Sequence, residues 1–169
     1  MYYESPGRIP SGIVRDEVAS TLDLLPTMAK MARGSLPEDR KIDGHDISSL
    51  LHSSKKLKSP TTAFYYYQRA RLRAVRSGKW KLHLAHARDT IWGNHIAKAD
   101  NIDILQPQLF DLENDIGEKM DLVQKYPKLV AKLLSLSGKA RSDLGDCNLP
   151  GSGQRSFDPD RKRPDLSKR

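Results

Sequence analysis

Cysteine is all but missing. Cys147 stands alone in 169 residues, which excludes an intrachain disulfide framework and any cysteine-rich zinc site, and leaves the redox compartment unread. Aromatic residues are scarce at 7%, and hydrophobic residues reach only 37%, so the core must be lean and some chain lies outside it. No stretch approaches the roughly 18 consecutive apolar residues of a membrane span. The opening Met1-Tyr-Tyr-Glu-Ser-Pro lacks the basic-then-apolar order of a secretory signal. The expectation is a soluble chain of one ordinary domain, carrying no address. No glycine-rich phosphate loop, Gly-x-Ser-x-Gly elbow or His-Glu-x-x-His pattern occurs.

Acidic residues are missing from one region altogether. Lys55 to Arg88 holds ten Lys or Arg and no Asp or Glu, within a chain whose net charge is +8. This favours anionic partners without naming them. The same stretch interleaves Phe64, Tyr65, Tyr66, Tyr67 and Trp80, which supports a nucleic-acid-binding module as one reading. Asp111 to Asp121 is acidic and partly offsets the excess. From Ser156 to Arg169 almost nothing is apolar, so this tail is expected to be disordered. The ordered part is expected to end near Gly145, with a Gly/Pro/Ser-rich exit from Pro150 to Gly153.

The pattern predicts an α+β fold. Asp23 can cap a helix with Pro26 in its first turn, where the missing N–H costs nothing, and Gly34 can stop it. A short helix is expected at Asp46–Leu51, capped by Asp46, with Ile47, Leu50 and Leu51 inward. Phe64–Tyr67 suits a strand. Leu72–Arg76 and Lys79–Ala85 flank Ser77-Gly78, a hairpin link, and Leu109–Leu112 is a further strand. Leu129, Val130, Leu133, Leu134 and Leu136 recur at helical spacing after Pro127, which fits a helix start. The expected arrangement is a small antiparallel sheet of about four strands covered by this last helix.

Alternation on the second hairpin strand puts Trp80, Leu82 and Leu84 on one face and Lys79, Lys81 and His83 on the other. The second face is either a solvated sheet surface or an anion-facing rim. His83 and His86, three apart on a strand, point to opposite faces and make a poor metal pair. His45 beside Asp43 and Asp46 could suggest metal or acid–base work, or a turn set by Gly44 with Asp46 capping the next helix. Cys147 has no evident activating partner. Nothing local assembles a catalytic machine.

The order of the pieces resembles the later part of arylsulfatases. Pro6-Gly7-Arg8-Ile9-Pro10 is followed by Asp23-Leu24-Leu25-Pro26-Thr27-Met28 and by Arg40-Lys41-Ile42-Asp43-Gly44-His45-Asp46-Ile47. Then come Phe64-Tyr65-Tyr66, Ala74-Val75-Arg76-Ser77-Gly78-Lys79-Trp80-Lys81-Leu82-His83, and Leu109-Phe110-Asp111-Leu112-Glu113-Asn114-Asp115 with Gly117-Glu118. Arg141-Ser142-Asp143-Leu144-Gly145-Asp146 is similar to that family's ending. Each piece is weak alone; together, in order from Pro6 to Arg155, they are specific.

The resemblance implies the back of an alkaline-phosphatase-like sulfuric ester hydrolase. Residues 1–60 would be the remnant of the catalytic α/β domain's end, 61–150 the antiparallel-sheet subdomain with its helix, and 151–169 a disordered basic tail. Such enzymes use a formylglycine made from a Cys/Ser-x-Pro-x-Arg motif, with a calcium ion beside it. Cys147 is followed by Asn148, Leu149 and Pro150 with no arginine at the required offset, so it is not that site. The resemblance therefore implies no catalytic or metal-ligating residue and no cofactor in this chain, with calcium and formylglycine belonging to the complete enzyme. The chain reads as truncated before the catalytic lysine segment and inactive alone, with a catalytic domain as packing partner. Apolar residues of Met1–Asp23 would then be exposed. A sulfate ester would be a substrate only of the complete enzyme, with Lys81, His83 and His86 as a rim at its pocket. Family location would be secretory, periplasmic or lysosomal. A non-catalytic structural or interaction fragment is the further alternative.

Overall fold

A computed structural model describes residues 9–86, 104–146 and 149–154. Cys147 and the tail from Ser156 lie outside the described residues, as do residues 1–8.

The first helical element among the described residues is a 3-10 turn, Thr21–Asp23, that runs directly into helix α1, Leu24–Met31. Asp23 stands at the N-cap position of α1 but makes no side-chain cap there, and Ser20 caps the preceding turn. The Ser20 hydroxyl accepts from the Leu22 N–H, and the Asp23 carboxylate reaches back to the Ser20 N–H. This reciprocal arrangement satisfies donors that have no partner inside a helix. The stop also differs from expectation. Arg33, with φ 57, takes the left-handed position, and the Gly34 N–H then closes back onto the Ala29 carbonyl. The second helix, α2, is Ser48–His52, later than the pattern suggested. Asp46 still serves its start by accepting from the Ser48 N–H, and Ile47 and Leu50 are buried.

Four strands follow: β1 Phe64–Gln68, β2 Arg71–Ser77, β3 Trp80–His83 and β4 Gln108–Asp111. They form one antiparallel sheet in the order β1-β2-β3-β4. The β2–β3 link is Gly78-Lys79, not Ser77-Gly78, because Ser77 pairs with Trp80. Gly78 has φ +57. A two-residue hairpin that matches the sheet's twist needs a positive φ at its first central residue, and glycine adopts it without strain. β3 stops at His83 and β4 at Asp111, each shorter at its far end than the sequence suggested.

A bulge in β2 decides which side chains enter the core. Tyr66 faces Ala74 but Tyr67 faces Leu72, leaving Arg73 as the extra residue. Leu72 and Val75 are three apart and would fall on opposite faces of a regular strand. The inserted residue returns both to one face, and both are buried.

Helix α3, Pro127–Leu144, lies across that face. Leu72, Val75, Leu82, Leu84, Leu109, Leu133 and Ala140 make one core, with Trp80, Tyr126, Leu129, Val130 and Leu136 packed against it. Leu134 is an exception to the expected stripe and points outward. Beyond the helix, the described residues fold back instead of trailing away. Ser152 and Gly153 N–H groups bond the Ser142 and Asp143 carbonyls, and Gln154 bonds the Leu144 carbonyl. These carbonyls have no acceptor role left inside the helix. Among the described residues, no helix is long and apolar enough to cross a membrane.

Candidate functional site

The sheet face turned away from α3 carries the charged residues that alternation placed there. Phe64 and Tyr66 meet edge to face at 5.0 Å, and Lys81 Nζ sits 4.9 Å from the Tyr66 ring centre. His83 meets Phe110 in a T-shaped contact at 5.6 Å. The basic residues are not left to solvent. The acidic stretch after β4 folds over them, and Glu118 joins two at once: Lys81 Nζ donates to Oε1 at 2.6 Å, and His83 Nε2 lies 2.6 Å from Oε2. Lys79, at the hairpin tip, reaches Asp111 at 2.8 Å and Glu113 at 3.2 Å.

Glu118 is held in a left-handed backbone conformation, φ 53, which typically costs a non-glycine residue about 1–2 kcal/mol. Burial opposes its charge, but the bonds from Lys81 and His83 outweigh burial and hold its carboxyl below the ordinary value of 4.5. A carboxyl depressed in the folded state contributes stability in full above its unfolded pKa and loses it as pH falls through the folded value. Melting followed from pH 6 to pH 3 should therefore show a fall beginning near pH 4.5. Glu118→Gln should start from a lower plateau and fall less steeply; parallel curves would remove Glu118 from this role.

His86 belongs to a different neighbourhood. Its Nδ1 donates to the Leu84 carbonyl at 2.6 Å, and its backbone pairs with Ile104. It borders a cleft shared with Arg71, Leu72, Ala85, Arg141 and Asp146. Burial, and then the charges of Arg73 and Arg71, push its pKa below the ordinary histidine value.

The residues around His45 form a structural tie. The His45 N–H donates to Asp23 Oδ1 at 2.8 Å, and its ring remains 3.8 Å from that oxygen. The Gly44 backbone presses so closely that an added Cβ would lie 1.9 Å from the Leu22 carbonyl oxygen.

The acidic residues from Asp111 to Asp121 do not fit a calcium ion. Asp111 accepts from Lys79, Asn114 and the Glu113 N–H. Asp115 accepts from the Lys119 and Met120 N–H groups, and Asp121 from those of Leu109 and Val123. Hard cations need converging oxygen ligands, whereas both Asp111 oxygens, Asp115 Oδ2 and Asp121 Oδ1 face nitrogen donors. Among the described residues, no three His, Cys, Asp or Glu side chains group as a metal site. Sequence reasoning missed Glu118, whose partners lie 35 and 37 positions away. The acid-free composition of 55–88 was the available signal, since strands rich in one charge need the other from elsewhere.

Residues 59–149 match the family model described as the C-terminal region of aryl-sulfatase. The chain is 36% identical to arylsulfatase A of Bos taurus over 138 residues, covering 76% of this chain and 27% of that protein. It is 44% identical to human steryl-sulfatase over 71 residues, 42% of this chain and 12% of the relative. Among solved structures, a sulfatase from Pseudoalteromonas sp. superposes with a TM-score of 0.66 at 19% identity, covering 82% of this chain and 28% of that one. This likeness extends the fold only. The chain spans about a quarter of the length of the curated arylsulfatases A and D that it matches.

Proposed function

The chain belongs to the sulfatase family as its C-terminal region, and from that premise we propose that it is the C-terminal subdomain of an arylsulfatase-like sulfuric ester hydrolase, inactive by itself. The match over residues 59–149, coincident with the sheet and α3, carries this reading. On it, residues 1–60 are the end of the catalytic α/β domain, 61–150 the subdomain and 151–169 a basic tail, with the rest of the catalytic domain as packing partner. Cleavage of a sulfate ester needs a nucleophile, a metal that polarises the sulfuryl oxygens and an acid for the leaving group. The sequence holds no Cys/Ser-x-Pro-x-Arg motif, and Asp111, Asp115 and Asp121 accept from nitrogen donors. Calcium and formylglycine are assigned to the complete enzyme.

Within that enzyme, Lys81 and His83 form a rim that attracts the anionic ester, with Glu118 fixing their positions. His86, the third rim candidate, stands on the α3 side in its own cleft. A rim acts on capture, not on bond cleavage. His83→Ala in the complete enzyme should raise KM several-fold with kcat nearly unchanged, and the effect should shrink in high salt. An unchanged KM at low ionic strength would exclude the rim.

The inactive-fragment reading is tested with an activated aryl sulfate and calcium. The isolated chain should give no turnover above a heat-killed control. A chimera in which it replaces the corresponding region of an arylsulfatase should regain turnover. Activity of the isolated chain, or a folded but silent chimera, would overturn the proposal.

A further inference from the structure

We propose that the peptide bond between Lys56 and Leu57 is a processing site, cut by an endoprotease that reads paired basic residues. Water adds across the bond, leaving a carboxylate on Lys56 and a free amine on Leu57. The pair Lys55-Lys56 lies between the end of α2 and the start of β1, a stretch with no helix or strand. Lys55, Lys56 and Lys58 are exposed, and Leu57 between them is half-buried. Exposed polar loops of this kind are where chains are preferentially nicked.

A protease takes its substrate as an added strand, so the backbone around the bond must not be paired already. Among the described residues, the N–H groups of Lys56, Leu57 and Lys58 make no hydrogen bond. The two ammonium groups must also be free to enter acidic pockets. No Asp or Glu occurs between Asp46 and Asp89, and among the described residues no ion pair engages Lys55 or Lys56. The other basic pair in the described residues, Arg40-Lys41, is exposed but engaged. Arg40 Nε and Nη2 donate to the two Asp39 oxygens at 2.8 and 2.7 Å, and Lys41 has a partner as well. Glu38, Asp39 and Asp43 beside that pair repel an acidic protease surface. The bond at Lys56 also falls between two sets of contacts. The buried residues Asp23, Thr27, Ile47 and Leu50 precede it, and the whole core from Leu72 to Ala140 follows it. Across the cut, Ser59 donates to Glu17 at 3.0 Å and to the Val18 carbonyl at 2.6 Å, and Arg76 reaches the Asp16 carbonyl at 3.4 Å. Hydrolysis at Lys56 therefore leaves the sheet and α3 with their core complete.

The full chain is treated under native conditions with a small amount of an endoprotease specific for paired basic residues, and its products are followed by intact mass and N-terminal sequencing. The first internal cut should expose the amine of Leu57, with Arg40-Lys41 cut more slowly. Trimming at Arg161-Lys162-Arg163 near the C-terminus is separated from it by mass. Lys55→Gln and Lys56→Gln should each slow the cut by about tenfold or more, since each removes a cation from an acidic pocket. Leu133→Ala, which weakens the sheet core, should leave the rate within about twofold, because opening at this loop is local and not global. The nicked chain should keep the parent amide protection at Val75 and Leu82. A first internal cut at Arg40-Lys41, parent-like cutting of both lysine variants, or a rate that climbs with the loss of stability in Leu133→Ala would overturn the site. Lost protection at Val75 and Leu82 would overturn its place between separately packed parts. The site goes beyond the sulfatase reading, and proteolysis requires no ester turnover, so the failure of either leaves the other standing.

Discussion

Leu133→Ala should lower the free energy of unfolding by about 2–5 kcal/mol, against a change within about 0.5 kcal/mol for Lys132→Ala. The two residues are adjacent in α3, yet Leu133 is fully buried and Lys132 exposed. Leu133 stands in the one core with Leu72, Val75, Leu82 and Leu109, so truncation removes apolar contacts from several strands and leaves a void. The small residues Ser137 and Ala140 continue the same helix face and are also buried. Ser137 satisfies its hydroxyl on the Leu133 carbonyl at 3.0 Å, which lets a polar residue pass beneath the helix without a loose donor. For a chain of this length each kcal/mol moves the melting midpoint by about 2–4 °C. Circular dichroism melts should therefore separate the variants by about 3 °C or more. Equal shifts would show that α3 is not seated on the sheet through this face.

What could be read from the sequence follows from how local the underlying physics is. The α3 stripe and the Trp80/Leu82/Leu84 alternation arise from periods within one element, and the sheet and covering helix followed. The hairpin was legible, but its two central residues moved by one. The Ser-Gly dipeptide marks a turn, whereas the pairing of Ser77 with Trp80 depends on the whole strand register. The β2 bulge left no composition signal, since Arg73 differs little from the other arginines of that strand. At the sheet's charged face, composition disclosed the surplus of cations but not the partner. Glu118 reaches Lys81 and His83 only after the chain has passed through β4 and turned back. The residues after α3 read as an exit because Gly and Pro are abundant there, yet the same residues can approach the helix end and bond its last carbonyls.

Asp23→Ala should loosen the segment from Gly44 to Ile47 by about 3 kcal/mol or more. Asp23 is only 2% exposed, and its carboxylate serves two backbone donors. Oδ2 accepts from Ser20 N–H at 2.7 Å and Oδ1 from His45 N–H at 2.8 Å. Hydrogen bonds to a charged acceptor contribute about 1.5–3 kcal/mol each, and alanine would leave both donors without it. The neighbouring tie is weaker: Thr27 Oγ1 accepts from the Ile47 N–H at 3.1 Å. With the Gly44 backbone pressed against Leu22, loss of the carboxylate releases the point at which two chain segments touch. A loss of about 3 kcal/mol corresponds to roughly a hundredfold faster amide exchange, since 1.4 kcal/mol is a factor of ten. The His45 amide should show that acceleration in Asp23→Ala. Asp23→Asn offers one acceptor oxygen for two donors and should fall between Asp23→Ala and the parent. The sheet amides of Val75 and Leu82 should change far less, because their protection derives from the α3 core. If His45 keeps its parent exchange rate in Asp23→Ala, the carboxylate is not what holds the two segments together.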